Sequence, residues 1–208
     1  MEKGALVLIE FQNEWLASEG KLYNFAKDRQ QFEAAIAGGR EILGLARKAR
    51  LPIAHCGLRF QPGHPELGGG CNATAGLAKA IPNFGTFVAD GTGSRFADDF
   101  VPLAGEFVVQ GRVGSSGFAG SNLDAWLRNN RVNRVYLAGF ALHVCVESTL
   151  RAGHDLGYQM VLLQDGCSAF TQAQRVHVLD DVVHHYGEHL TNDQFASELA
   201  EMCLVSAK

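Results

Sequence analysis

Short apolar runs alternate along the chain with longer stretches that repeat at helical spacing. Residues 5–11 (ALVLIEF) form a nearly continuous apolar run, the pattern of a parallel strand covered on both faces. The runs at 53–56 (IAHC), 106–110 (EFVVQ), 134–138 (RVYLA) and 159–164 (QMVLLQ) predict four more strands, and a short one is expected near 188–190. Helices are predicted over 32–50, 121–130, from beyond Gly139 to 156, over 172–186 and over 193–202. In the first of these Ile36, Leu43 and Leu45 are core candidates, while Gly38, Gly39 and Gly44 weaken the helix locally. Leu51-Pro52 ends it, and Gly157 ends the 156 helix through a left-handed residue. Residues 13–27 read as a loop. Residues 57–103 are rich in Gly and Pro and poor in periodicity, with short helices expected at 74–80 and 95–100. A loop of that length in a compact domain is usually functional, so it is expected to line or cover a site. The alternation of strand and helix predicts one α/β domain over 1–208. It would be a Rossmann-like three-layer sandwich, with a mostly parallel sheet of five to six strands and helices on both faces.

Composition narrows the function classes. At 208 residues, 47% hydrophobic and 19% charged, the chain can fill one core and is not a disordered polymer. A formal net charge of -4 gives no footprint for nucleic acid or an anionic membrane. No apolar run approaches the ~20 residues of a membrane span, and MEKGALVLIEF lacks the order of a signal peptide. A cytoplasmic location is the default expectation. The five cysteines (Cys56, Cys71, Cys145, Cys167, Cys203) are odd in number and scattered without a CxxC pair, against a disulfide framework or a zinc ribbon. Gly91-Thr92-Gly93-Ser94 lacks the preceding strand and third glycine of a dinucleotide fingerprint, and no cofactor is expected.

Candidate chemistry gathers where strands end. In open α/β sheets the carboxyl ends of strands face the ligand crevice. Glu10 closes the first apolar run, Arg112 follows the third, and Cys145 lies shortly after the fourth, past the break at Gly139. A cysteine near a helix start meets unpaired N–H groups that favour a thiolate and could hold an oxyanion. Each residue also has a plain reading. A free cysteine is often a small buried hydrophobe, and a strand-end glutamate can turn outward or pair with a base.

Three segments carry a resemblance: ALVLIEFQNEW, GRVGSSGFAGSNLDAWLR and LAGFALHVCVESTLRAGHDLGYQMVLLQD. With these the chain resembles the isochorismatase-like cysteine hydrolases, which include nicotinamidases and N-carbamoylsarcosine amidohydrolases. The resemblance covers nearly the whole chain and implies a small-molecule substrate and an Asp, Lys and Cys triad. Cys145 matches the nucleophile, Glu10 stands for the aspartate, and Arg112, 33 residues before Cys145, stands where the lysine aligns. Both substitutions matter. The longer acid moves its carboxylate by about 1 Å, a displacement that can cost on the order of 100-fold in rate. Guanidinium keeps the cation but cannot release a proton. They mark either a matched pair or a member with altered or lost chemistry. The resemblance further implies a cis peptide at Phe140–Ala141, an oxyanion hole from the N–H groups of Ala141 and Cys145, and a homo-oligomer (dimer or tetramer). Leu142 stands where the family often has Thr.

Gln12, Trp15, Phe118 and His143, with Arg59 and Phe60, are pocket candidates by position. His55 and His64 lack the Asp-x-His arrangement by which nicotinamidases hold a metal, and Gly187 breaks helical spacing in the cluster His184, His185, Glu188 and His189. No metal is expected. The competing functions are a catalytically silent binder or assembly subunit and a thiol redox sensor, the latter without a resolving cysteine beside Cys145.

Overall fold

A computed structural model describes residues 3–71 and 73–206. Its centre is β1 (Gly4–Ile9), buried at every position and paired in parallel on both sides. β2 (Ile53–Cys56) and β3 (Phe107–Val108) extend the sheet one way; β4 (Arg134–Gly139), β5 (Gln159–Cys167) and β6 (Gly187–Leu190) extend it the other. The order is β3-β2-β1-β4-β5-β6 and every pairing is parallel. Both faces are covered by helices, as parallel sheets require. α2 (Arg29–Lys48) and α8 (Asn192–Ser206) pack together and against β5; α5 (Glu147–Asp155) packs on β5 and on α7 (Val183–Tyr186). No helix among the described residues is long and apolar enough to cross a membrane.

Several elements depart from their predicted bounds. β3 keeps two residues of a predicted five; at its start the Glu106 N–H is bonded to the Leu103 carbonyl in a turn, and its carboxylate meets Arg47, His55 and the Leu103 N–H. β5 runs three residues beyond its predicted end. Asp165 there accepts from the Asn192 N–H, Gly166 lies under Ile42, and a register irregularity opposite Leu137–Gly139 absorbs the extra length. The predicted 172–186 helix is divided into α6 (Gln172–His177), a π-helical turn (Val178–Val182) and α7. A capping box of Thr171 and Gln174 starts it.

In the two stretches read as loops, α1 (Asn13–Leu16) forms because Asn13 and Glu14 N–H groups donate to Arg95 and Gly93 carbonyls. α3 (Leu77–Phe84) starts three residues later than predicted, between Gly76 and a left-handed Gly85. Residues 98–100 form only a 3-10 turn. α4 (Leu123–Asn129) lies inside its predicted span.

Strand register fixes where function can sit. Ile9 is level with Cys56 on one side and Gly139 on the other. The chain therefore leaves β1, β2 and β4 side by side at one edge of the sheet. Below that edge Phe11 stacks on Phe100 at 4.2 Å, and Phe140 meets Phe11 at 5.0 Å and Phe32 at 4.8 Å. Burying such rings stabilises the fold by about 1.5–3 kcal/mol each and anchors the turn that follows β4.

Candidate active site

Glu10 is the first residue past β1 and adopts a left-handed backbone (φ 57), rare for a side chain of its size. Its N–H donates to the Cys56 carbonyl at 3.0 Å, which holds the turn. The carboxylate is 1% exposed, with both oxygens occupied: Oε2 accepts from Trp15 Nε1 at 2.9 Å and Oε1 from Arg112 Nη2 at 2.7 Å.

Arg112 is equally buried and makes more bonds than a catalytic cation needs. Beyond Glu10, its guanidinium donates to the carbonyls of Gly114 (3.1 Å), Ser115 (2.6 Å) and Cys56 (3.3 Å). A planar fork can serve so many acceptors at once; an ammonium has three donors and no such geometry. Burial works against its charge, but the Glu10 carboxylate together with the Cys56 and Cys145 sulfurs outweighs this and shifts its pKa upward. Arg112 is a fixed positive charge, and no proton passes through it.

Beyond Gly139 the Phe140–Ala141 peptide is cis. Ala141 then opens a π-helical turn (Leu142–Val146) that carries Cys145, with α5 starting only at Glu147. The Cys145 carbonyl accepts from the Thr149 hydroxyl at 2.7 Å, and that hydroxyl accepts from the Gly117 N–H at 2.8 Å. The segment that supplies carbonyls to Arg112 is thus tied to the turn that carries the sulfur.

The sulfur's protonation departs from the sequence expectation. Burial, and next the nearby Glu10 carboxylate, push the Cys145 thiol well above its ordinary pKa; Arg112 opposes them without prevailing. The resting group is a protonated thiol beside a carboxylate. A helix start would have favoured the thiolate, but Cys145 lies inside the turn and is 3% exposed.

Glu10, Trp15, Ala141 and Cys145 line one cavity of about 170 Å³. Its remaining wall comes from the two stretches read as loops and from Val144 and Phe170. The other pocket candidates lie elsewhere. Gln12 is a buried clamp that donates to the Leu58 and Ser94 carbonyls and accepts from the Leu58 N–H. Phe118 stacks on Tyr158. His143 meets the edge of Phe170 at 4.6 Å, behind the cavity wall. Arg59 pairs with Asp90 in an exposed loop, and Phe60 is core. His55 Nε2 meets Glu106 at 2.7 Å and His64 Nε2 the Thr86 carbonyl at 2.8 Å, while Glu188 pairs with Arg134. Among the described residues no three His, Cys, Asp or Glu side chains converge as metal ligands. Leu22, Phe25, Ile81 and Phe84 line the cavity and carry no signal in the sequence, where they are apolar residues in aperiodic stretches.

Compared with known protein families, residues 4–194 match the Isochorismatase domain. The chain belongs to the isochorismatase family. It is 31% identical over 169 residues to the ureidoacrylate amidohydrolase RutB of Pseudomonas syringae pv. syringae, an alignment covering 77% of this chain and 69% of that one. The RutB of Stutzerimonas stutzeri is 32% identical over 170 residues, covering 77% and 68%. Among solved structures, a family protein from Desulfovibrio vulgaris superposes with a TM-score of 0.80 at 20% identity, covering 96% of this chain and all of the other. N-carbamoylsarcosine amidase from Thermoplasma acidophilum gives 0.71 at 22%, covering 92% and 97%. At such identities these structures speak for the fold: an open parallel sheet of six strands, typical of isochorismatase-like hydrolases.

Proposed function

We propose that this isochorismatase-family chain is a cysteine-dependent hydrolase that cleaves an amide-type C–N bond of a small molecule through a thioester. The coarse part, an amidohydrolase, is supported by the family and by the RutB relatives. The finer part is carried by one observation: Glu10 and Cys145 line the same cavity, with Arg112 bonded to the back of the carboxylate.

The resting thiol suits a proton transfer that accompanies attack. As the sulfur adds to the substrate carbonyl, its proton passes to Glu10. The charge lost from the carboxylate reappears on the oxyanion, and the N–H groups of Ala141 and Cys145 are the donors assigned to it in this reading. The tetrahedral adduct collapses, the C–N bond breaks, and Glu10 returns the proton to the leaving nitrogen as ammonia or an amine. Water then attacks the thioester and gives its proton to Glu10. The acyl product leaves as a carboxylic acid, and the proton goes back to the sulfur. Glu10 is the sole proton carrier, and Arg112 stabilises and orients it throughout. In the family pattern a lysine stands in that place; here the cation is electrostatic only.

Purified protein should release ammonia or amine from a panel of small amides, with Cys145→Ala and Cys145→Ser inactive yet folded by circular dichroism. Trapping with acid during turnover should give an acylated Cys145 by mass spectrometry. Turnover undiminished in both variants would end the thioester reading. The protonated thiol and the fully engaged Arg112 favour one second reading, a silent small-molecule binder. It requires ligand binding without any adduct. Completing the proposal, the family habit points to a homo-oligomer of two or four copies, testable by light scattering, and the default location is the cytoplasm, testable by fractionation.

A further inference from the structure

The wall of the cavity that holds Glu10 and Cys145 is mostly apolar. Glu10 and Cys145 are its ionisable lining groups among the described residues. Above them the wall is Leu22, Phe25, Leu77, Ile81, Phe84 and Phe170. Phe25 and Phe84, both partly exposed, meet edge to face at 5.5 Å at the outer rim. At about 170 Å³ the chamber is below the ~300–1,000 Å³ of sites for drug-sized ligands.

Among the described residues, Arg112, Glu14 and Lys21 beside it are committed to other partners. Arg112 stands behind Glu10 with its donors on carbonyls. The buried Glu14 carboxylate accepts from the Lys21 and Phe87 N–H groups. The Lys21 ammonium caps the Gly85 carbonyl at 2.6 Å, outside the lining. A substrate carboxylate inside would find no cation, while Glu10 repels it; an unpaired buried charge is strongly disfavoured. The RutB relatives are named for ureidoacrylate, an anion.

We propose that this chain takes neutral amides with a short apolar acyl group, and that α3 with the 3-10 turn at Tyr23–Phe25 sets this choice. The assignment rests on the hydrolase reading above for its chemistry, though not for its binding preference. An alkyl or aryl acyl chain fits among the leucines and phenylalanines, with its carboxamide at the polar floor beside Cys145.

The test uses the full chain and four probes: hexanamide, phenylacetamide, malonamide and succinamate. Wild-type protein should show kcat/KM for hexanamide or phenylacetamide on the order of 100-fold above that for succinamate, with neutral but polar malonamide between them. Leu77→Arg, at the half-buried start of α3, should narrow the gap to about 10-fold by offering the carboxylate a partner. An unchanged ratio in that variant would count against α3 as the determinant. Succinamate as the preferred substrate would overturn the assignment while leaving the hydrolase reading intact. A preference for it that vanished in Lys21→Ala would identify the rim ammonium as selector, which also overturns it. Calorimetry on Cys145→Ser covers the converse case. If no amide is turned over by the wild type, tighter binding of hexanamide than of succinamate upholds the charge selection while the catalytic reading fails. Equal or reversed affinities defeat it.

Discussion

Glu10 and Arg112 exchange what would be two isolated buried charges for one bonded pair, and the exchange carries a large penalty if broken. Arg112→Met should destabilise the protein by about 3–5 kcal/mol in chemical denaturation, because Glu10 would remain buried without its cation. The two departures from the Asp and Lys of the family fit each other, since the longer acid reaches a planar fork already pinned by three carbonyls. Glu10→Asp and Arg112→Lys should each lower kcat/KM by about 100-fold, and the double variant should lose less than the two together. Strict additivity would show that the pair is not matched. Cys145 makes a separate prediction. With its pKa pushed up by burial and then by Glu10, alkylation by iodoacetamide should stay slow through neutral pH and rise only in alkaline solution. A reactive thiol at pH 7 would contradict the protonated resting state. Glu10 and Cys145 were legible as candidates because each polar residue follows an apolar strand. The sulfur's protonation was not, since burial and a carboxylate from a remote strand decide it.

At the scale of elements, the edge formed by β1, β2 and β4 depends on close backbone approach. A Cβ on Gly139 (φ +141) would lie 2.0 Å from the Ile9 carbonyl oxygen, against backbone that cannot yield. Gly139→Ala should therefore cost several kcal/mol or prevent soluble expression, and any folded fraction should lack cysteine-dependent activity. Gly44 is the contrasting case. It sits exposed in the last turns of α2 with nothing within 4 Å of a built Cβ. Gly44→Ala should raise the melting temperature, through about 0.5–1 kcal/mol of backbone entropy. In the sequence Gly44 reads as a local weakness in a helix and Gly139 as the break after a strand, and pattern alone does not show which tolerates a side chain. Strand pairing separates them. The cavity wall shows the same limit: α1 and α3 stay unpredicted or misplaced because the bonds that start α1 reach Gly93 and Arg95, far along the chain.

For the molecule as a whole, one polar junction ties the sheet to a helix and contributes to its acid limit. Burial alone would raise the Glu106 pKa. Bonds from Arg47, the Leu103 N–H and His55 outweigh it and bring the carboxyl to about 2. A folded pKa below the unfolded ~4.3 gives stability that is present above ~4.3 and lost as pH falls toward 2. The amount is on the order of 3 kcal/mol. Denaturation midpoints should drop over that window, and Glu106→Gln should flatten the dependence while being less stable at pH 7. The alkaline limit runs oppositely. Burial raises the Cys167 thiol to about 12, so its contribution is complete below the unfolded ~8.5 and declines from there toward 12.

The amino-acid order by itself determined the alternation of strand and helix, hence a parallel α/β sheet, and marked an acid, a base and a thiol at strand ends. These are local or periodic features, readable because a buried strand must be apolar throughout and because charge is costly there. Tertiary structure alone decided that Arg112 reaches Glu10 and the Cys56 carbonyl, that burial and Glu10 push the Cys145 thiol upward, and that the chamber above it is apolar. Each of those depends on atoms brought together from strands and loops tens of residues apart, and dielectric, repulsion and shape exist only once they meet.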